Sequence, residues 1–297
     1  MTNKYLILTD ACCDLSRADL EKNGILVVPM EFSLGKEVFL TAPNKDQLPI
    51  SVFYDKIRKG ERGGSSHITT SSYINFLRPY LEDGNDIILV TVSSALSSNF
   101  SHAFSAVNAL INEYPERTIK VLDCLNIGSG MDLILTYMAD NKAKGLSIMD
   151  NYLDVYDKIA FVHTWVSIKD YKNINHRALL SLPHDFLMKS FKMRPILHID
   201  NCGNMALANS AKTSKVAMDL LFNHVKATII EPTKQTIFIT CDINTTDALA
   251  LKTRLTSELK VKEVKILSSS PIICLNSGLN TLTISYLGKM RKIKRPI

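Results

Sequence analysis

Along the first half of the chain, short apolar runs alternate with longer stretches whose apolar positions recur every three or four residues. Residues 5–9 (YLILT) read as a buried strand, 15–24 as a helix stopped by Gly24, and 25–34 (ILVVPMEFSL) as a second strand with Pro29 near its middle. The stretch 73–84 is helical in pattern despite Pro79. Residues 86–94 (DIILVTVSS) are apolar on both faces, as strands covered by helices on either side are. Residues 101–114 then predict a helix, 118–123 a strand and 129–144 a helix. This rhythm implies an α/β fold: a parallel sheet with helices on both faces, whose binding edge by default is the loops at the strand C-termini.

The pattern is less regular from 150 to 200, where 169–177 (KDYKNINHR) is a polar interruption. A tight turn at 201–204 reads as a hairpin, and after it come a helix at 212–227, a strand at 235–242, a helix at 245–260 and a strand at 262–270. The expected architecture is therefore two α/β domains, 1–158 with the parallel sheet and 159–297 with a mixed sheet, as a length of 297 residues favours. Residues 271–280 (PIICLNSGLN) read as a buried strand running into a polar turn.

Composition and charge narrow the classes. With 46% hydrophobic and 22% charged residues the chain is globular rather than disordered. No apolar run approaches the roughly 20 residues of a membrane span, and the N-terminus lacks a signal-peptide core. The six cysteines form no CxxC pair and no zinc spacing, so they are expected to be reduced and the protein cytoplasmic. The net charge of +6 sits largely in the last nine residues, KMRKIKRPI, which carry Lys289, Arg291, Lys292, Lys294 and Arg295. Without those five the rest of the chain is near +1. A solvated basic tail with no interleaved aromatics argues against nucleic-acid binding.

Four polar loops follow apolar runs and share small hydroxyl residues: 9–14, 63–72, 92–100 and 275–280. Asp14, Thr70 and Ser71 read as helix N-caps. One helix needs one cap, however, and four serines (93, 94, 97, 98) precede the helix near 101. No GxSxG elbow, P-loop or HExxH is present, and Gly128-Ser129-Gly130 lacks the third glycine of a dinucleotide fingerprint. His198, after an apolar run, reads as a packed, hydrogen-bonded residue. What remains is a set of uncharged donors suited to an anion such as a carboxylate, and beside an apolar cavity that means a fatty acid head group.

At these residues the chain resembles the DegV-type fatty-acid-binding proteins, the lipid-carrying subunits of bacterial fatty acid kinase. The family's opening TDS-x-x-DL is matched by Thr9-Asp10-Ala11-Cys12-Cys13-Asp14-Leu15. Its Thr-Ser-Gln motif is matched by Ser65-Ser66-His67 with Tyr73, and its SSGLSGTY by Ser93-Ser94-Ala95-Leu96-Ser97-Ser98-Asn99-Phe100. Val121-Leu122-Asp123 with Gly128 and Gly130 resembles the family's strand-Asp and glycine turn. KPILHID is similar to 194–200 here, RPILHID. The resemblance implies two α/β domains, a buried acyl chain and a carboxylate held by hydroxyls and a histidine. Ser65, Ser66, His67, Ser93, Ser94, Ser97, Asn276 and Ser277 are the ligand-binding candidates it marks.

Departures accompany the match. The family's last motif, T-H-T-G-P-G, reads Leu275-Asn276-Ser277-Gly278-Leu279-Asn280, so an uncharged amide replaces the histidine. The family's GGRIS loop is replaced by Asn175-His176-Arg177-Ala178-Leu179. The resemblance implies a non-enzymatic carrier of one long-chain fatty acid that presents the carboxyl group to a fatty acid kinase subunit. No cofactor of its own is implied, and membrane contact is at most transient, for lipid exchange. Two other readings stay open: a hydrolase using Ser94 or Ser97 with His67, and a sensor of another small carboxylate.

Overall fold

The computed structural model describes residues 5–41, 47–169, 193–242 and 245–291. Strands β1 (Tyr5–Asp10), β2 (Ile25–Val28), β6 (Asp86–Thr91) and β7 (Ile119–Asp123) form a parallel sheet in the order β2-β1-β6-β7. Ile87 to Val90 are fully buried, as a strand covered on both faces requires. The helices that flank this sheet are α1 (Arg17–Asn23), α3 (Thr70–Glu82), α4 (Asn99–Glu113), α5 (Ser129–Ala143) and α6 (Ile148–Lys158). Gly24 ends α1 in the left-handed conformation, as its position predicts. The α1 and α3 caps are Ser16 and Thr69, not Asp14, Thr70 or Ser71; in each case the hydroxyl accepts the N–H three residues on.

The expected single strand over 25–34 is two strands in different sheets. Pro29 has no N–H to give a ladder, and the chain changes sheet there. Beyond it β3 (Met30–Leu34) pairs antiparallel with β4 (Glu37–Thr41) and β5 (Gly63–Ser65), with α2 (Ile50–Arg58) between the last two.

The second sheet is mixed, in the order β10-β9-β8-β13-β11-β12. Its strands are β8 (Val162–Ile168), β9 (Arg194–Ile199), β10 (Met205–Ala211), β11 (Thr236–Cys241), β12 (Glu263–Ser268) and β13 (Thr281–Leu287). Only the β11 and β12 pair is parallel. Helices α7 (Ser214–Thr228) and α8 (Thr245–Glu258) belong to the same half, and the turn at 201–204 does join the antiparallel β9 and β10. His198 packs 5.2 Å from the Trp165 ring. The polar interruption beyond Lys169, with Asn175 to Leu179, lies outside the described residues.

Two further expectations are overturned. Residues 271–277 are not a strand but a helix, α9 (Pro271–Ser277), with Ser270 as N-cap and Pro271 at its first position. A short apolar run cannot choose between strand and helix by itself, and the Ser-Pro start decides for the helix. Nor is Arg291 part of a solvated tail. It is 6% exposed, and its guanidinium donates to the carbonyls of Ile159 (2.9 Å) and Asp200 (2.8 Å). Burial lowers its pKa to about 10. Lys292, Lys294 and Arg295 lie outside the described residues. All six cysteines are free thiols, five of them buried. Among the described residues no helix is long and apolar enough to cross a membrane.

Candidate functional site

The aspartates of the first motif organise the backbone around the loops. Asp10, at the end of β1, is fully buried and accepts from the N–H of Cys12 (3.0 Å), the N–H of Val92 (2.9 Å) and Asn99 Nδ2 (3.3 Å). It thereby fixes where the loop after β6 leaves the sheet. Burial raises its pKa, and these hydrogen bonds oppose the rise. Asp14 accepts from Ser270 N at 2.6 Å, and so holds the cap of α9. Asp132, on α5, accepts in turn from the backbone of Asp14 (2.8 Å) and Leu15 (3.1 Å). Burial pushes Asp14 up to about 6, and burial together with the charge of Asp14 holds Asp132 well above the usual carboxylate range.

The four serines after β6 have different tasks. Ser93 is fully buried and donates to the carbonyl of Gly203 at 2.9 Å, which latches the β9–β10 turn to the first sheet. A Cβ at Gly203 would stand 2.0 Å from the Ser93 hydroxyl, so glycine is required there. Ser94 is exposed, and its N–H donates to Asp123 Oδ1 at 3.2 Å. Ser97 accepts from Asn99 N at 3.2 Å, and its Oγ lies 3.4 Å from His67 Nδ1. Ser98 is the N-cap residue of α4 without a side-chain cap bond.

Opposite this loop, β5 delivers Ser65, Ser66 and His67, and α9 delivers Asn276 and Ser277. Asn276 Nδ2 donates to Ile272 O at 2.7 Å and to Ser65 Oγ at 3.1 Å. Ser66 donates to Glu31 O at 2.9 Å, and Ser277 to Ile273 O at 2.9 Å. Six of the eight expected residues, Ser65, Ser66, His67, Ser97, Asn276 and Ser277, line one cavity of 210 Å³. Ser93 and Ser94 do not line it; one hydroxyl is spent on the latch and the other residue stands in solvent.

Sequence reading missed the walls of this cavity. Cys12, Met30, Val92, Leu96 and Ile127 come from the first half, and Val166, Ile168, Met205, Ile272 and Ile273 from the second. Nothing in their spacing separates them from core residues. Behind them runs a buried hydroxyl chain in which Ser129 lies 2.8 Å from both Thr283 and Ser285, and Thr164 donates to Asn126 at 2.6 Å. Gly130 sits against it; a Cβ there would stand 2.3 Å from Thr164 Oγ1. The Gly128-Ser129-Gly130 stretch is thus a close-packing device between α5 and the second sheet, not part of a nucleotide fingerprint.

A larger cavity of 430 Å³ lies between α1, the β3–β4 hairpin and the end of β12. Asp14 lines it. With a pKa near 6 that group is largely ionised at neutral pH, and an anionic head group there would meet a like charge. The smaller cavity has no acid among its described lining residues, so it suits a carboxylate better. Among the described residues no group of three or more His, Cys, Asp or Glu could hold a metal ion.

A family model described as an uncharacterised protein of the DegV family matches residues 4–289. A DegV domain-containing protein of Clostridium perfringens is 23% identical over 289 residues, 97% of this chain and 99% of the relative. Among solved structures, a DegV family protein of Ruminococcus gnavus with vaccenic acid superposes with a TM-score of 0.82 at 18% identity, covering 95% of this chain and 99% of that one. The B3 protein of the Streptococcus pneumoniae fatty acid kinase, loaded with linoleic acid, superposes with a TM-score of 0.80 at 18% identity, covering 96% and 99%. At such identities the likeness is one of fold.

Proposed function

Since the chain belongs to the DegV family, we propose that its 210 Å³ cavity takes a long-chain fatty acid and that the protein is a carrier rather than a catalyst. One observation carries this reading. Six uncharged or imidazole-bearing groups from three separate segments meet at one cavity whose other walls are largely apolar and come from both halves, 1–158 and 159–297. An anion with a hydrocarbon tail is the ligand that uses both features. Each buried CH₂ contributes about 0.8 kcal/mol in gross terms, so the tail supplies affinity and the polar groups need only orient the head.

Ser66 and His67 are exposed, which leaves the head group within reach of a second protein. That partner is a fatty acid kinase subunit, which brings the phosphoryl donor; a carboxylate oxygen of the ligand takes the phosphoryl group, and the acyl phosphate forms. The carrier works in the cytoplasm without a cofactor and touches membrane only transiently, to exchange lipid. Native mass spectrometry tests the reading. Protein given oleate or palmitate is expected to gain the mass of one fatty acid per chain, and no gain with either would overturn it.

The 3.4 Å approach of Ser97 to His67 is what a hydrolase would also need. Yet among the described residues no carboxylate hydrogen-bonds to His67 to orient its ring, as the third member of a triad would. A fluorophosphonate probe is expected to leave every serine unlabelled. A sensor of a small carboxylate is separated by extraction, since its ligand would be short and polar.

A further inference from the structure

The amide of Asn276 is committed before any ligand arrives. Its Nδ2 has two hydrogens; Ile272 O takes one at 2.7 Å and Ser65 Oγ the other at 3.1 Å. A main-chain carbonyl only accepts, so its contact settles which end of the amide is nitrogen. What Asn276 has left for the cavity is Oδ1, an acceptor, which repels a carboxylate. Ser65 stands in the opposite state. Its oxygen receives the Asn276 hydrogen bond, and its own O–H is not donated to any described residue.

Charge is equally localised. Among the described lining residues His67 alone can carry a positive charge. Ser97 Oγ accepts from Asn99 N at 3.2 Å and has a second lone pair for a hydrogen on His67 Nδ1, 3.4 Å away. A doubly protonated ring can therefore donate from Nδ1 to Ser97 and from Nε2 to a carboxylate.

Resting on the fatty acid reading above, we propose that Asn276 is a positioning residue that aims the Ser65 hydroxyl, and that His67 gives the site its preference for an ionised head group. The lining residue able to carry charge therefore sits in the loop between β5 and α3, while α9 contributes the uncharged Asn276 and Ser277. Asn276 acts through Ser65 and does not touch the ligand.

Displacement of a fluorescent fatty acid by palmitate and by 1-hexadecanol, which share a chain and differ in charge, tests both parts. His67→Gln is expected to weaken palmitate about tenfold while hexadecanol changes by less than about twofold, and His67→Lys to restore the preference. His67 is exposed, so these variants should fold. Ser65→Ala and Asn276→Ala, the latter well tolerated in a helix, should each weaken palmitate, and the double variant should be no weaker than Ser65→Ala alone. Equal losses for acid and alcohol in His67→Gln would overturn the role of His67. Additive losses at 65 and 276 would show Asn276 on the ligand itself and overturn its positioning role. If the wild type binds neither compound, the fatty acid reading fails, an outcome distinct from both.

Discussion

Asp14 shows how a single side chain can join the fold to the site at a cost. Its carboxylate accepts from Ser270 N and faces the Thr240 hydroxyl, but burial outweighs these contacts and raises its pKa to about 6. The unfolded value is about 3.9, so between these limits the folded state holds the proton more tightly. The stabilisation is fully present below about pH 4 and is lost as pH rises through about 6, and the charge on Asp14 adds to the burial that raises Asp132. Asp14→Asn keeps an acceptor for Ser270 N and removes the buried charge. It should melt at a higher temperature than the wild type at pH 7.5, with the two converging near pH 4, and calorimetry across that range would check it. Ser93 teaches a related lesson: beside Ser97 in sequence and of the same chemistry, it is a latch because a carbonyl from a remote turn reaches it first.

Among the elements, α9 matters most to the site. It is seven residues long, too short to persist alone, and it depends on its start. The Ser270 hydroxyl accepts from Ile273 N at 3.4 Å, Pro271 presets the first turn, and the Ser270 N–H is held by Asp14. Ser270→Ala should cost about 1 kcal/mol, read from denaturant midpoints. It should also loosen palmitate, because Asn276 rides on this helix. The long amphipathic helices and apolar strands were legible from spacing, and 86–94, 118–123 and 129–144 match β6, β7 and α5 within a few residues. Strand β13 was not legible: TLTISYL places Thr281, Thr283 and Ser285 at buried positions where the pattern calls for apolar residues. Thr283 and Ser285 are polar because they face Ser129 and Thr164 in the hydroxyl chain, while Thr281 donates to Ser277 O at 2.9 Å.

At the scale of the whole molecule, and in addition to the Asp14–Ser270 and Asn276–Ser65 bonds, three polar ties join the two halves around the cavity. They are the Ser93 latch, the hydroxyl chain from Ser129 to Thr283, and Arg291, which reaches carbonyls beside α6 and in the β9–β10 turn. Arg291→Ala strands several buried carbonyls and should destabilise by about 3 kcal/mol in chemical denaturation. The local order of the chain by itself determined the α/β class, most strands and helices, and the loops where hydrogen-bonding groups collect. It did so because periodicity and capping are short-range. Only the tertiary structure decided which hydroxyls face the cavity, that Asn276 spends its donors on Ile272 and Ser65, and that Arg291 is buried. Those outcomes depend on which remote carbonyl or hydroxyl lies within about 3 Å, a distance that spacing along the chain does not encode.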